Sequence, residues 1–268
     1  MNALPKRNNM SIKIAFFDLD WTLYDHENRL WVPSGIESIK KLQSKGIKVI
    51  LTTARPFDSF KKFGALDLGF DWDGYISCSG GTASVGGVYL HKALISPGNC
   101  KALIARCQQL DLALELVGPE ERKFLSSENE WTKEYYEAFR DVVSPRGVYD
   151  GDEAVSFLLF APESYDEGLK TSLPGLRFFR FFSCAMDVMQ DPHEKGLDID
   201  LILRHYGYSK DEAIGFGDDI PDISMAEHVG HFVCMGNGRD ELKAVSEFVT
   251  DPISKDGLRA GLRHYKLL

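Results

Sequence analysis

The sequence predicts an α/β fold, a doubly wound parallel sheet with an inserted α+β segment. Three observations carry this. An apolar run, IKIAFF, ends at two aspartates one residue apart, Asp18 and Asp20. A short amphipathic pattern and a second apolar run follow at once, in the strand, helix, strand order that makes a right-handed parallel crossover. Between about 85 and 187 that alternation gives way to mixed helices and strands, and then it resumes.

Ile14 to Phe17 has no polar face, so the pattern predicts a strand buried on both sides at the centre of a covered parallel sheet. Ligands of open α/β sheets bind at the carboxyl ends of such strands. Asp18 would stand at that tip and Asp20 on the loop beyond it. Two carboxylates there suit a hard cation, because Mg²⁺ takes oxygen ligands and needs few of them from protein. A carboxylate can also attack phosphorus. A solvated turn after a strand would use the same residues, and the two aspartates alone do not separate these readings.

In PSGIESIKKLQSKG, Ser34 and Glu37 have capping-box spacing, Ile36, Ile39 and Leu42 form one apolar stripe, and Gly46 suits the helix end. The next apolar run, 47 to 51, ends in TTARP. Thr52, Thr53 and Arg55 then share the sheet edge of Asp18, as phosphate donors or, for a threonine, as a cap for a helix starting near Phe57. Residues 72 to 92 read as a third core strand that meets Ser79-Gly80-Gly81 and turns a hairpin at Gly86-Gly87.

Residues 85 to 187 read as helices laid on an antiparallel sheet, with hinges near Ser84 to Gly87 and Asp187 to Pro192. The core resumes with KGLDIDLILRHYG, a helix with Leu197, Leu201 and Ile202 inward. Lys195 sits in its first turn, where the helix dipole favours anions, so an anion is expected nearby. AIGFGDDIPD repeats the opening pattern: a short apolar strand ends at Asp218, Asp219 and Asp222. HFVCM, DELKAVSEF and FVT complete the alternation.

At 268 residues, with 44% hydrophobic content, the chain can fill one large or two modest domains. The net charge of −9 and pI near 5.3 argue against nucleic acid and anionic membrane as main partners. Five scattered cysteines without a CxxC suggest neither disulfides nor a zinc site, and a reducing, cytoplasmic setting is expected. No apolar run reaches the roughly 18 residues needed to span a bilayer. The polar leader MNALPKRNNM has no signal core and reads as disordered, with Met10 as an alternative start. No obligate protein partner is implied.

Phosphoryl transfer needs a nucleophile, a cation, donors for the phosphoryl oxygens and a proton source. Asp18 supplies the nucleophile, and Asp20 can protonate the leaving group. Asp18, Asp218 and Asp20, the last through its carbonyl, can hold Mg²⁺, with Asp219 and Asp222 behind them. Thr53 and Lys195 can bind the phosphate.

DLDWTL, TTARP, EKG, GDDIPDISM, MGNG and KDG occur in the order that resembles the Cof-type phosphatases of the haloacid dehalogenase (HAD) superfamily, over residues 12 to 263. The resemblance implies a Rossmann-like HAD core from 1–84 and 188–268, with 85–187 as a type IIB α/β cap that selects the substrate. It implies the same roles for Asp18, Asp20, Thr53, Lys195 and Asp218, and a further contact to substrate at Ser79 and Gly80. The activity implied is Mg²⁺-dependent hydrolysis of a small phosphorylated metabolite, a sugar phosphate foremost, through an aspartyl-phosphate. A phosphomutase or a non-catalytic binding protein of the same fold are the alternatives.

Three residues depart from the pattern. Trp21 replaces a glycine, Pro221 replaces an asparagine and removes a backbone N–H, and Ser79 stands where asparagine is frequent. His193 is either near the substrate or an ordinary surface histidine. Arg180 could face the site from the insert, while the phenylalanines of RFFRFF would fill the insert's own core.

Overall fold

The computed structural model describes residues 12–139, 141 and 143–268. The leader, with Met10, lies outside the described residues. In chain order, β1 (Ile14–Asp18) is followed by a small flap of β2 (Tyr24–Asp25) and β3 (Leu30–Trp31), then α1 (Pro33–Ser44), β4 (Lys48–Thr52), α2 (Phe57–Lys62), β5 (Gly74–Ser77), β6 (Thr82–Val85) and β7 (Val88–Lys92). A second stretch holds α3 (Pro97–Gln109), β8 (Ala113–Val117), β9 (Arg122–Phe124), α4 (Glu130–Phe139), β10 (Ser156–Phe160), α5 (Asp166–Ser172), β11 (Arg177–Phe182) and β12 (Ala185–Met189). The chain ends with α6 (Lys195–Tyr206), β13 (Ala213–Gly217), α7 (Ile223–His228), β14 (His231–Cys234), α8 (Asp240–Val245), β15 (Phe248–Val249) and α9 (Gly257–His264).

The large sheet has eight strands in the order β15-β14-β13-β1-β4-β5-β6-β7. The strands from β15 to β5 run parallel, and β6 and β7 close that edge as an antiparallel hairpin. Successive residues of a strand point to opposite faces. On β1, Ala15 and Phe17 therefore join a core with Ile39 and Leu42 of α1 and Leu258 and Leu262 of α9. Ile14 and Phe16 join a separate core with Ile199, Ile202 and Leu203 of α6 and Met225 of α7. Phe17 stacks on Phe216 of β13, with ring centroids 5.2 Å apart. This two-sided burial makes the sheet doubly wound, as the unbroken apolar run requires. The smaller sheet is antiparallel, in the order β11-β12-β10-β8-β9, with α3 and α5 contributing to the core on one face and α4 on the other.

Three expectations are corrected. The boundary at 85 moves, because Val88–Lys92 pairs with Thr82–Val85 in the large sheet: the Gly86-Gly87 step turns the expected hairpin, and it is not also a hinge. The smaller sheet is therefore built after Lys92, and it runs to Met189, past the expected 187. On α6 the buried face is Lys195, Asp198, Ile199, Ile202 and Leu203, while Leu197 is 39% exposed. Two polar residues occupy that buried face and disguise its period. Finally, α1 starts at Pro33 with Val32 as its cap residue, and Ser34 bonds Asp256 instead of closing a capping box. Proline at the first helical position supplies the start signal there.

Candidate active site

Parallel pairing of β1 with β4 and β13 brings three strand ends to one edge, and the chemistry-bearing residues hang from them. Asp18 ends β1, Thr53 follows β4, and Asp218 follows β13. Lys195 opens α6, and its Nζ lies 2.7 Å from Asp18 Oδ1 and 2.7 Å from Asp222 Oδ1. Carboxylate oxygens of Asp18, Asp218 and Asp222 all lie within 4.8 Å of one another, and all three residues are buried. This is a hard-oxygen donor set of the kind that suits Mg²⁺.

The charge in this floor is unbalanced. Burial first, and then the neighbouring Asp222, raise the Asp18 carboxyl well above its usual range despite Lys195. Burial, Asp18 and Asp222 push Asp218 up to about 9, so that it favours holding a proton or facing a cation. Burial acts to lower Lys195, but Asp18 and Asp222 outweigh it and raise its pKa, which keeps it charged. A divalent cation would relieve the carboxylate repulsion that one ammonium leaves.

Asp222 fastens the floor together. Its Oδ1 accepts from Lys195, and its Oδ2 accepts the backbone N–H groups of Asp218 at 2.9 Å and Asp219 at 3.2 Å. A Cβ on Gly217 would stand 2.4 Å from that Oδ2, so the close approach requires glycine. Asp222 thus holds the Asp218 backbone in place and is itself one of the three converging carboxylates. Asp219 instead turns outward, with its Oδ1 accepting from Ile220 N–H and from Arg239. Thr22 donates to Asp218 Oδ1 at 3.2 Å.

Asp20 is held elsewhere. Arg55 binds it through Nε, 2.9 Å from Oδ2, and Nη2, 2.8 Å from Oδ1, while His26 Nε2 lies 2.6 Å from Oδ1. Its carboxylate is therefore outside the cluster of Asp18, Asp218 and Asp222. Burial would raise its pKa, but the His26 and Arg55 bonds prevail and hold it at about 2. The Arg55 guanidinium also lies 4.1 Å from the Phe63 ring centre, a cation–π arrangement that fixes it in place. Arg55 shares the sheet edge named in the sequence; its pairing with Asp20 and His26 had no local signal.

Thr53 is buried, and its hydroxyl accepts the Arg55 N–H at 3.1 Å, which leaves its own proton free to donate. It does not cap α2, whose cap residue is Pro56. Ser79 and Gly80, expected at the substrate, do not line the opening around Asp18. Ser79 N–H bonds the Thr53 carbonyl, and a Cβ on Gly80 would fall 2.2 Å from the Glu194 carbonyl carbon. That loop is a backing for the start of α6, and it positions Lys195.

His193 is buried and donates its Nε2–H to the Cys78 carbonyl, so it braces the same loop. Burial lowers its pKa to about 4, and it stays neutral. Arg180 bonds Asp166 and the carbonyls of Ala161, Phe182 and Ser183, all within the smaller sheet's own segment. Of the RFFRFF phenylalanines, Phe178 and Phe182 pack inward, while Phe179 and Phe181 are exposed.

Asp18, Asp20, Trp21, Ala54, Lys195, Asp218, Asp219, Pro221 and Asp222 line an opening of about 100 Å³, smaller than a typical small-molecule pocket. An ion-pair cluster ties the smaller sheet to the large-sheet core. Arg122 of β9 bonds Asp58 of α2 at 3.0 and 3.1 Å, Asp141 at 2.7 and 3.1 Å, and approaches Glu115 at 3.5 Å. The carboxyl of Asp187 on β12, a half-buried residue, has no hydrogen bond among the described residues and is raised by burial to about 7. No helix among the described residues is long and apolar enough to cross a membrane.

Comparison with known proteins agrees with this architecture. A protein of Geobacillus kaustophilus HTA426 superposes with a TM-score of 0.90 at 27% identity, covering 96% of this chain and 100% of its own. The sugar phosphatase BT4131, described as HAD subclass IIB, gives 0.80 at 28% identity, with 96% and 100% covered. YkrA of Bacillus subtilis strain 168, provisionally named a phosphatase, is 24% identical over 262 residues, 97% of this chain and 100% of that protein. The haloacid dehalogenase-like hydrolase family matches residues 15–262. The chain belongs to that family and stands among its phosphatases.

Proposed function

We propose that the protein is a Mg²⁺-dependent phosphomonoesterase that acts on a small phosphorylated metabolite, a sugar phosphate foremost, through an aspartyl-phosphate on Asp18. The observation that carries this is the buried floor, where a lysine held 2.7 Å from Asp18 adjoins three converging carboxylates. Lys195 and Thr53 would draw in the phosphoryl oxygens, and an Asp18 oxygen would attack phosphorus. The bond to the leaving oxygen breaks as that attack proceeds, and Asp20 supplies the proton that the leaving alkoxide takes up. In the second step Asp20 removes a proton from water, which attacks the acyl phosphate and releases inorganic phosphate, returning Asp18.

Asp18 and Asp218, with the Asp20 carbonyl, would hold the cation, which supplies neutralising charge to the phosphoryl group when bound. The segment carrying the smaller sheet, fastened through Arg122 to Asp58, serves in this proposal as a lid that excludes water and shapes the leaving-group site. The test is phosphate release from p-nitrophenyl phosphate and a panel of sugar phosphates, with Mg²⁺ and with EDTA. The reading requires release that EDTA suppresses and Mg²⁺ restores; no metal-dependent release above background would refute it. Isomer formation without phosphate release would mark a phosphomutase instead.

A further inference from the structure

Trp21 follows Asp20 and adopts φ +61°, the left-handed region that disfavours side chains larger than glycine. Burial does not account for this. The residue is 39% exposed, and its indole nitrogen donates to no described protein atom. Its ring contact is with His26, 5.3 Å between centroids and tilted by 41°. The backbone holds the turn from both sides: Trp21 N–H bonds the Tyr24 carbonyl at 2.9 Å, and Asn237 Nδ2 donates to the Trp21 carbonyl at 3.0 Å. The result is a firmly held turn that sets a half-exposed tryptophan among the residues lining the opening, together with Ala54 and Pro221. Buried Asp18, Asp218, Asp222 and Lys195 form the floor of that opening, while these three residues are more exposed members of its lining.

We propose that Trp21 is the stacking platform for the leaving group, and that it selects phosphorylated rings over open-chain phosphates. This rests on the phosphomonoesterase reading. A leaving oxygen within reach of Asp20 puts the rest of the leaving group next to the following residue, and an indole face offers a ring a flat apolar partner. Stacking of a planar base on an aromatic side chain is worth on the order of tenfold in affinity or more, and the lower part of that range is expected for a sugar ring, which offers C–H groups and no π-face. Trp21 therefore sets specificity from the core side of the opening, separately from the smaller sheet.

Wild type, Trp21→Gly and Trp21→Phe are compared for kcat/KM on p-nitrophenyl phosphate and glucose 6-phosphate, which carry rings, and on glycerol 1-phosphate, which does not. Binding of the last two is measured by calorimetry in parallel, with melting temperature as a control. The expected result is a fall of about tenfold in the ring-to-open-chain ratio in Trp21→Gly, carried mainly by KM. Trp21→Phe should restore most of it, and Trp21→Gly should melt no lower than wild type, because glycine adopts this φ freely. A ratio unchanged in Trp21→Gly, or no ring preference in wild type by turnover or binding, overturns the proposal. Loss of ring binding in a protein that turns over nothing would uphold the platform while removing the phosphatase reading.

Discussion

The floor and the lip of the opening are built from aspartates only one residue apart, yet they are electrostatic opposites. On the floor, Asp18 shares one lysine with Asp222 and faces Asp218, and burial, with the neighbouring negative charge added to it, raises both Asp18 and Asp218. At the lip, Asp20 is fully matched by Arg55 and His26 and is held at about 2. The floor is arranged to receive a cation; the lip is already neutralised. A carboxyl held at about 2 carries no proton at neutral pH, so Asp20 must leave Arg55 and His26 before it can protonate a leaving group.

Substitutions at the two positions should therefore differ sharply. Asp18→Asn is expected to abolish turnover with the fold intact, checked by steady-state assay and circular dichroism; normal activity would remove the distinction between floor and lip. Asp20→Asn should lower kcat by about 10²–10⁴-fold, the usual worth of general acid–base help. The loss should shrink with p-nitrophenyl phosphate, whose leaving group needs little protonation, and an equal loss on all substrates would count against the assigned role.

Smaller effects sharpen the contrast between core and insert. Arg122→Met strips the wholly buried Glu115 of its cation and breaks the tie to Asp58, and should destabilise the protein by about 3–5 kcal/mol in urea unfolding. Adding Glu115→Gln should recover part of that. No destabilisation would mean the tie is ornamental.

His193 gives a pH-dependent case. Its folded pKa of about 4 lies below the ordinary histidine value near 6.5, so the unfolded chain binds more protons between those values. Its stabilising contribution is full above about 6.5 and falls by up to about 3 kcal/mol as pH drops through that window. Burial is the main cause; the bond to the Cys78 carbonyl and Asp191 oppose the shift, and Arg177 and His91 reinforce it. His193→Gln should flatten this part of the stability profile; an unchanged slope from pH 7 to 4 would contradict it.

The floor was legible in the sequence because strand tips announce themselves. An apolar run that stops at Asp18, another that stops at Asp218, and a lysine opening a helix are local signals that parallel pairing converts into one site. The lip was not. Asp20 and Arg55 are 35 positions apart and Arg122 and Asp58 are 64 apart, and no periodicity links side chains that meet only through the tertiary fold. The strand Val88–Lys92 is read both as part of a hairpin on the core and, by the boundary at 85, as the start of the insert, because Gly86-Gly87 looks the same whether it turns a hairpin or begins a linker. The buried face of α6 was misplaced because Lys195 and Asp198 lie on it, burial that composition argues against.

The central claim is that the phosphoryl group passes onto Asp18 and nowhere else. Acid quench of the enzyme during turnover of ³²P-labelled p-nitrophenyl phosphate with Mg²⁺, followed by peptide mapping, tests it directly. Label on the peptide containing Asp18, absent in Asp18→Asn and labile to hydroxylamine as an acyl phosphate should be, is the predicted result. Turnover without any trapped label, or label on a peptide lacking Asp18, would contradict it.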